Sequence, residues 1–474
     1  MLFNSIAFII FLPIVFTLFW VTQKKLLLQN MILLVASYVF YAWWDWRFLG
    51  LIVASTLVDF WVGNQLDKKQ ERLSRKALVS LSLVFNLGLL GFFKYYNFFV
   101  DSFVEAFASA GVSLQASTLN IVLPVGISFY TFQTLSYTLD VYKQKIKANK
   151  SIIQFATYVA FFPQLVAGPI ERAAELLPQF NIKKKFNYQF AKSGVYLIIW
   201  GFFKKVVVAD NAAFFVNQIF DNPSDQSSLV LLLGAVLFAF QIYGDFSGYS
   251  DIAIGVARLF GFKLMTNFAY PYFSRDIAEF WRRWHISLST WFRDYLYIPL
   301  GGSRGTKVHQ LRNVFIIFLV SGFWHGANWT FIVWGGLHAL LFLPLMLLNT
   351  NRKHLEGDKL NYRNVLSILV TFFLVCVAWI FFRSASLELA WLYVYNMFNL
   401  SSLEIGLFMK TSKSTLLFGI SLLSILVLLV TEYRAFKNNR KEVKLSRWKA
   451  FVFIWLILFL GVFKNPSDFI YFQF

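Results

Sequence analysis

The sequence predicts an all-α, polytopic membrane protein, and three observations carry that prediction. Of the 474 residues, 58% are hydrophobic and 20% aromatic, with a mean hydropathy of +0.58, far from the balance of a soluble domain. Long apolar runs recur from end to end, among them Ser5 to Val21, Leu27 to Trp44, Leu78 to Phe93, Val314 to Trp324, Phe331 to Leu348, Val365 to Phe382, Leu416 to Val430 and Phe451 to Val462. Lysine and arginine, 44 against 24 acidic residues, fall mostly in the short connections between those runs. At ~20 residues per helical span the chain holds roughly ten to thirteen transmembrane or re-entrant helices. A membrane barrel would show short segments of alternating hydrophobicity, whereas these runs are continuously apolar.

Taken in order, the first run has no basic flank and no small-residue cleavage pattern, so it reads as a retained helix and not a signal peptide. The connections Asp67 to Lys76, Lys143 to Lys150, Lys183 to Lys185 and Glu432 to Lys449 are strongly basic, and Val100 to Ser117 has no Lys or Arg. Under the positive-inside rule the former face the cytoplasm, while the latter and the amino terminus face outward. That distribution accounts for the net charge of +20 without nucleic acid as a partner. The single cysteine, Cys376, lies in an apolar run; it excludes a disulfide framework and a thiolate zinc site, and reads as a small buried hydrophobe. The whole chain, 1–474, reads as one membrane domain in three stretches. Residues 1–120 are peripheral helices with few polar groups at depth, 121–345 are rich in Gly, Pro and charged residues among aromatics, and 346–474 return to plain spans. Irregular backbone at membrane depth needs protein or a wet cavity around it, so the middle stretch is where function is sought.

Within "SGFWHGANWTF" (Ser321 to Phe331), helical spacing puts His325 on one face with Asn328 and Trp329, and Gly322 and Gly326 form a small-x-x-x-small pair beside the imidazole. An ionisable residue in a span is costly and suggests function, although a histidine bonded across a helix interface fits the spacing equally. His338, 13 positions on, would sit ~20 Å along the same axis, as a structural residue or at a cytoplasmic entrance. Arg275 to Tyr295 reads as one amphipathic helix, with Glu279, Arg282, Arg283 and Arg293 on one side and Trp281, Leu288 and Phe292 on the other. His285 falls on the apolar flank, aimed into protein, though an interfacial helix anchored by tryptophans explains the aromatics as well. "FQIYGDFSGYSDIAIG" supplies Gln241, Asp245, Ser250 and Asp251, with glycines permitting a bend and the carboxylates expected to pair with Arg or His. "LVAGPIER" (Leu165 to Arg172) reads as a helix end and loop without chemistry. Two histidines without Glu or Cys nearby do not make a metal site, and neither a nucleophile elbow nor a phosphate loop occurs. The chemistry left to a buried neutral imidazole is general base catalysis, drawing a proton from an alcohol as it attacks an activated acyl carbonyl.

"FWRRWHISLSTWFRDYLYIPLGGSRG" followed by "SGFWHGANWTFIVWGGLHAL" closely resembles the membrane-bound O-acyltransferase family, in the bacterial branch that includes the alginate O-acetylation membrane subunit and the D-alanine transfer protein of teichoic acid. "LPVGISFYTFQTLSYTLDVYK", "FFPQLVAGPIER" and "FQIYGDFSGYSDIAIG" extend the resemblance over nearly the whole chain. It implies that His325 matches the principal catalytic histidine and His285 the second characteristic position, where relatives carry His, Asn or Asp. It implies helices around a central funnel, with an acyl donor on the cytoplasmic side and an acceptor opposite, meeting at His325. Asp245, Arg293, Trp324, Asn328 and His338 are further candidates to line or brace it. The expected function is transfer of an acyl group, acetyl in the first instance, from a thioester such as acetyl-CoA to an alginate-like extracytoplasmic polysaccharide. The expected setting is a bacterial inner membrane, with lipid around the chain, no bound cofactor and a separate extracytoplasmic partner of the SGNH-hydrolase type. D-alanyl transfer to teichoic acid and acetylation of peptidoglycan or cellulose are alternatives within the class. A transporter of acyl groups or lipid is the alternative outside it, against which stands the lack of an inverted repeat.

Overall fold

The computed structural model describes every residue except 70, 115–117, 167, 355–361, 401, 465–468 and 471–474. Its secondary structure is 75% helical, without a strand among the described residues. Among the described residues six helical stretches are long and apolar enough to cross a membrane: Trp46–Lys68, Arg72–Ser109, Ser228–Leu259, Trp329–Leu347, Asn364–Arg383 and Ser412–Lys437. Shorter apolar helices span Ile6–Val21, Leu26–Ala42 and Ile152–Leu165. The chain is a multi-pass membrane protein.

Two compact units divide it. The first comprises Met1–Lys192 with Val256–Met265. It contains α1 (Ile6–Val21), α2 (Leu26–Ala42), α3 (Leu49–Lys68), α4 (Arg72–Leu90), α5 (Tyr96–Ser109), α6 (Ile127–Tyr142) and α7 (Ile152–Ala160). Ser5 starts α1 by accepting the Phe8 N–H at 3.2 Å, and Phe8 and Phe40 then pack edge to face between α1 and α2. Much of the predicted outward loop Val100 to Ser117 is therefore helix, in α5; its last three residues lie outside the described ones.

This unit also corrects the expectation of few polar groups at depth. Asp59 of α3 is buried and accepts hydrogen bonds from Asn86 Nδ2 of α4 (2.7 Å), Thr138 Oγ1 of α6 (2.6 Å) and the Ser82 hydroxyl, while Ser55 donates to Asn86 Oδ1 at 2.6 Å. Each helix contributes one or two polar residues that look incidental along its own sequence. Only three-dimensional packing joins them into a satisfied cluster.

The second unit comprises Ser193–Gly255 with Thr266–Phe474. It begins within α8 (Tyr188–Phe202), passes through a π-helical turn at Phe203–Ala209 into α9 (Asp210–Asp221), and continues as α10 (Ser228–Leu259). After α10 come two short helices, α11 (Ile277–Arg283) and α12 (Ile286–Phe292), then α13 (Lys307–His325), α14 (Trp329–Leu347), α15 (Tyr362–Arg383), α16 (Leu387–Phe398), α17 (Ser412–Lys437) and α18 (Arg447–Leu460). The glycines that would permit a bend do not interrupt α10, which runs as one helix for 32 residues. Those glycines serve close packing instead: a Cβ on Gly248 would lie 2.8 Å from the carbonyl oxygen of Gly201, and one on Gly201 would lie 2.6 Å from that of Gly248.

Candidate active site

The stretch around His325 is a turn between two helices, where a single face was expected. Thr306 caps the start of α13, which ends at His325; Gly326 is extended (φ −161°, ψ 156°), and Asn328 caps α14 by accepting the Thr330 N–H at 3.0 Å. Three residues thus reverse the chain. The two helices press together at glycine, because a Cβ on Gly322 would lie 2.2 Å from the Phe331 carbonyl oxygen and one on Gly335 would lie 2.3 Å from that of Phe318. Gly322 therefore does what its small-residue spacing predicted. The face shared by His325, Asn328 and Trp329 does not exist: Asn328 is bound into the turn and donates to the Ala385 carbonyl at 2.9 Å, and Trp329 is exposed. His325 itself is buried. Its imidazole stands edge-on to Trp334 (5.0 Å between ring centroids) and packs against Trp324 (5.0 Å) and Phe382 (5.3 Å).

The reversal also moves His338. An unbroken helix would hold it about 20 Å from His325, but both imidazoles lie against the same indole, Trp334, at 5.0 and 4.9 Å. His338 is fully buried among Phe280, Phe318 and three tryptophans, and its Nδ1 accepts a hydrogen bond from Trp281 Nε1 at 3.3 Å.

His285 reaches the interior through a break in the predicted amphipathic helix. The segment Arg275 to Tyr295 splits into α11, α12 and a π-helical turn at Arg293–Tyr297. His285 sits at the split with φ 42° and ψ 55°, a left-handed conformation that costs a non-glycine residue of order 1–3 kcal/mol and persists where surroundings over-determine it. Glu279, placed by helical spacing on the charged side, is buried between Arg275 (3.0 Å) and Arg283 (2.8 Å). The His285 ring is fully buried against Phe246 (4.6 Å) and Trp324 (6.1 Å), with Nδ1 at 3.1 Å from Asn267 Oδ1. Trp324 therefore touches both His285 and His325. Asn267 escaped the sequence reading because it lies in an irregular segment, outside any helix, with no motif around it.

A cavity of about 640 Å³ adjoins this cluster in the same unit. Leu288, Phe292, Val314, Phe318, Phe342 and Met346 give it apolar walls, while Arg282, Arg293, Arg352, Gln310 and Asn349 line its polar part. The residues at its rim, among them Arg293, Ser303, Asn349 and Arg352, are exposed. The lining reaches Ser321, one helical turn before His325, and Trp281, whose indole packs on Trp334 at 5.7 Å. Two rings, Trp281 and Trp334, thus stand between one wall of the cavity and His325.

Asp245 lies elsewhere. Its carboxylate meets Lys205 Nζ at 2.8 Å and accepts the Ile470 N–H at 2.7 Å, and Lys205 also holds Asp210 at 2.9 Å. Next to them Lys204 pairs with Asp251 at 2.5 Å and donates to Ser247 Oγ at 2.9 Å. The partners of these carboxylates are lysines, not the Arg or His expected. The signal was present in "WGFFKKVVVADNAA", where two lysines interrupt an apolar run. Arg293 is exposed at the cavity rim and pairs with Asp294 at 2.7 Å. Among the described residues no three His, Cys, Asp or Glu side chains converge to hold a metal ion.

A buried histidine cluster beside an amphipathic cavity, in a helical membrane protein, suits acyl transfer. Residues 144–391 match the membrane-bound O-acyltransferase family, and the chain belongs to that family; it is an O-acyltransferase. It is 40% identical to the probable alginate O-acetylase AlgI of Pseudomonas aeruginosa, over 94% of this chain and 84% of that protein. It is 38% identical to the peptidoglycan O-acetyltransferase of Helicobacter pylori, over 82% of this chain and 78% of the relative. Similarity to the teichoic acid D-alanyltransferase of Bacillus subtilis is lower, 28% over 56% of this chain and 69% of that protein.

Proposed function

We propose that this protein moves an acetyl group from a cytoplasmic thioester, such as acetyl-CoA, toward O-acetylation of an extracytoplasmic polysaccharide of the alginate type, from a bacterial inner membrane. The observation that carries the reading is the cavity. Its rim bears Arg293 and Arg352, with Arg282 in the lining, suited to the phosphates of a thioester carrier, and its apolar walls run to within a turn of His325. A volume of about 640 Å³ is in the range of small-molecule sites. The rim also lies at the end of α13 and α14 flanked by Arg304, Lys307 and Arg352, the side that the positive-inside rule assigns to the cytoplasm.

In this reading His325 takes the proton of the attacking hydroxyl while the oxygen–carbonyl bond forms and the carbon–sulfur bond breaks. The proton then passes to the departing thiolate, so the thiol leaves neutral and His325 returns to its starting state. General base assistance contributes typically 10²- to 10⁴-fold. His285 orients the reacting groups, and Trp324, in contact with both rings, keeps the two imidazoles in register. His338 and Asn328 hold the walls: one fixes Trp281, the other the turn. A separate partner of the SGNH type completes transfer to the polymer on the far side. The greater similarity to O-acetylases than to the D-alanyltransferase favours acetate as the group moved.

The test is His325→Ala in membranes supplied with radiolabelled acetyl-CoA. We expect acetyl transfer to vanish while the variant inserts and melts like the parent. Near-normal transfer would refute the role of His325, and normal flux of an acyl group without ester formation would favour a transporter.

A further inference from the structure

The hydrogen bonds around Asn267 decide which nitrogen of His285 carries the proton. Asn267 Oδ1 receives the Ser287 backbone N–H at 3.2 Å and the Ser287 hydroxyl at 2.8 Å, while its Nδ2 donates to Ser250 Oγ at 3.0 Å. A backbone N–H only donates, so the amide atom facing it is oxygen; the flipped amide would set two donors against each other. His285 Nδ1 lies 3.1 Å from that same oxygen and 3.4 Å from the Ser287 hydroxyl; the shorter 2.8 Å bond takes the hydroxyl hydrogen to Asn267, so Nδ1 donates to the amide oxygen. In the neutral ring the lone pair then falls on Nε2.

The backbone closes the arrangement. Ile286 N–H donates to the Asn267 carbonyl at 2.9 Å, tying the residue after the break to the same asparagine, and the left-handed turn at His285 leaves its ring between Phe246 and Trp324. His338 shows the opposite state: its Nδ1 accepts from Trp281. Two buried histidines of one unit are thus set to opposite tautomers by their neighbours.

From this geometry we infer that Asn267 is a positioning residue that locks His285 with its proton on Nδ1, so that Nε2 meets the reacting groups as a hydrogen-bond acceptor. The inference rests on the acyl-transfer reading above for what His285 faces, and it narrows that role. A thioester carbonyl oxygen only accepts, so a neutral His285 in this tautomer does not polarise it. It holds a neighbouring hydroxyl of the acceptor by its hydrogen, not the one whose proton His325 takes, and so orients the nucleophile toward the acyl carbon.

Full-length protein carrying ¹⁵N-histidine, reconstituted in lipid, tests this by solid-state ¹⁵N spectra, with His285→Gln identifying the His285 signals. We expect a protonated Nδ1 and a bare Nε2 in the parent. Asn267→Leu should lose that pattern, with kcat falling about 10- to 100-fold and the donor KM little changed. Asn267→Asp, which still accepts at the same place, should keep the pattern and recover most of the rate. A proton on Nε2 in the parent, or an Asn267→Leu protein with unaltered tautomer and kcat, overturns the inference; if Asn267→Leu does not fold, the parent spectrum alone decides. Failure of the wider reading looks different: His285→Ala would remain active whatever the parent spectrum shows.

Discussion

Two regions of the second unit bury polar groups in an apolar interior, and they do it in opposite ways. Around Lys204 and Lys205 every charge is answered by another: Asp210 and Asp245 on one lysine, Asp251 on the other. Around His325 and His338 the surroundings are rings, with Trp324, Trp334, Trp379 and Phe382 packed against the imidazoles at 4.9 to 6.5 Å. Compensated charge is the condition for a stable interior and leaves little chemical freedom. An uncharged imidazole in an aromatic wall holds its position by shape and keeps its proton chemistry available. On the acyl-transfer reading proposed above, the contrast separates the charges that hold the unit together from the region assigned the chemistry.

The sharpest way to break that distinction is to remove one charge. Lys205→Met strands Asp210 and Asp245 in the interior, at about 3–5 kcal/mol for breaking a buried pair. We expect the folded yield from membranes to collapse and the thermal midpoint to drop steeply. His325→Ala should leave both nearly untouched while transfer stops. A Lys205→Met protein that is stable but inactive would move the ionic cluster into the catalytic machinery and erase the contrast.

The second prediction concerns how tightly the ring wall must be held. Gly322→Ala sets a methyl group against the Phe331 carbonyl, so the hairpin must open or shift. Overpacking of this kind costs about 1–3 kcal/mol, and displacement of a reacting group by about 1 Å costs on the order of 10²-fold in rate. Activity should therefore fall much further than stability, measured as transfer rate against melting temperature. Equal losses would mean that the glycine contact serves the fold alone.

How much of this was legible beforehand follows from the reach of each signal. Helical class and membrane character follow from apolar runs, which are local, and so does the place of His325 and His285 in long specific motifs. The gap between the runs Val314 to Trp324 and Phe331 to Leu348 marks the hairpin, but measuring from His325 to His338 along one helix axis overlooks the reversal at the extended Gly326, and hydropathy does not register a single dihedral. The Asn328-Trp329-Thr330 cap was the available clue. Asp245 was noticed but its partner was mistaken, because the lysine that answers it lies 40 positions earlier, across a close helix contact made by Gly201 and Gly248. Asn267 and the Asp59 cluster left no trace at all. Both depend on side chains from separate segments meeting, and no periodicity encodes that.

The smallest expected effect lies at the cavity rim, where neither compensation nor ring packing governs. Arg293 is exposed and partly neutralised by Asp294 at 2.7 Å, whereas Arg282 donates to the carbonyls of Asn351 and His354 and keeps its charge uncompensated by them. An exposed charge of this kind contributes about 0.2–1 kcal/mol, so Arg293→Ala should raise the donor KM at low salt about 1.5- to fivefold and leave kcat unchanged. Because the interaction is with phosphate through solvent, the difference should fade as ionic strength rises past about 0.15 M. Arg282→Ala should do more, but it also frees two carbonyls and so mixes binding with structure, which is why Arg293 is the cleaner probe. Steady-state kinetics at low and high salt read the result. A change in kcat at either salt would place Arg293 at the reacting centre and not at an entrance, and no change in KM even at low salt would mean that the donor does not enter past this rim.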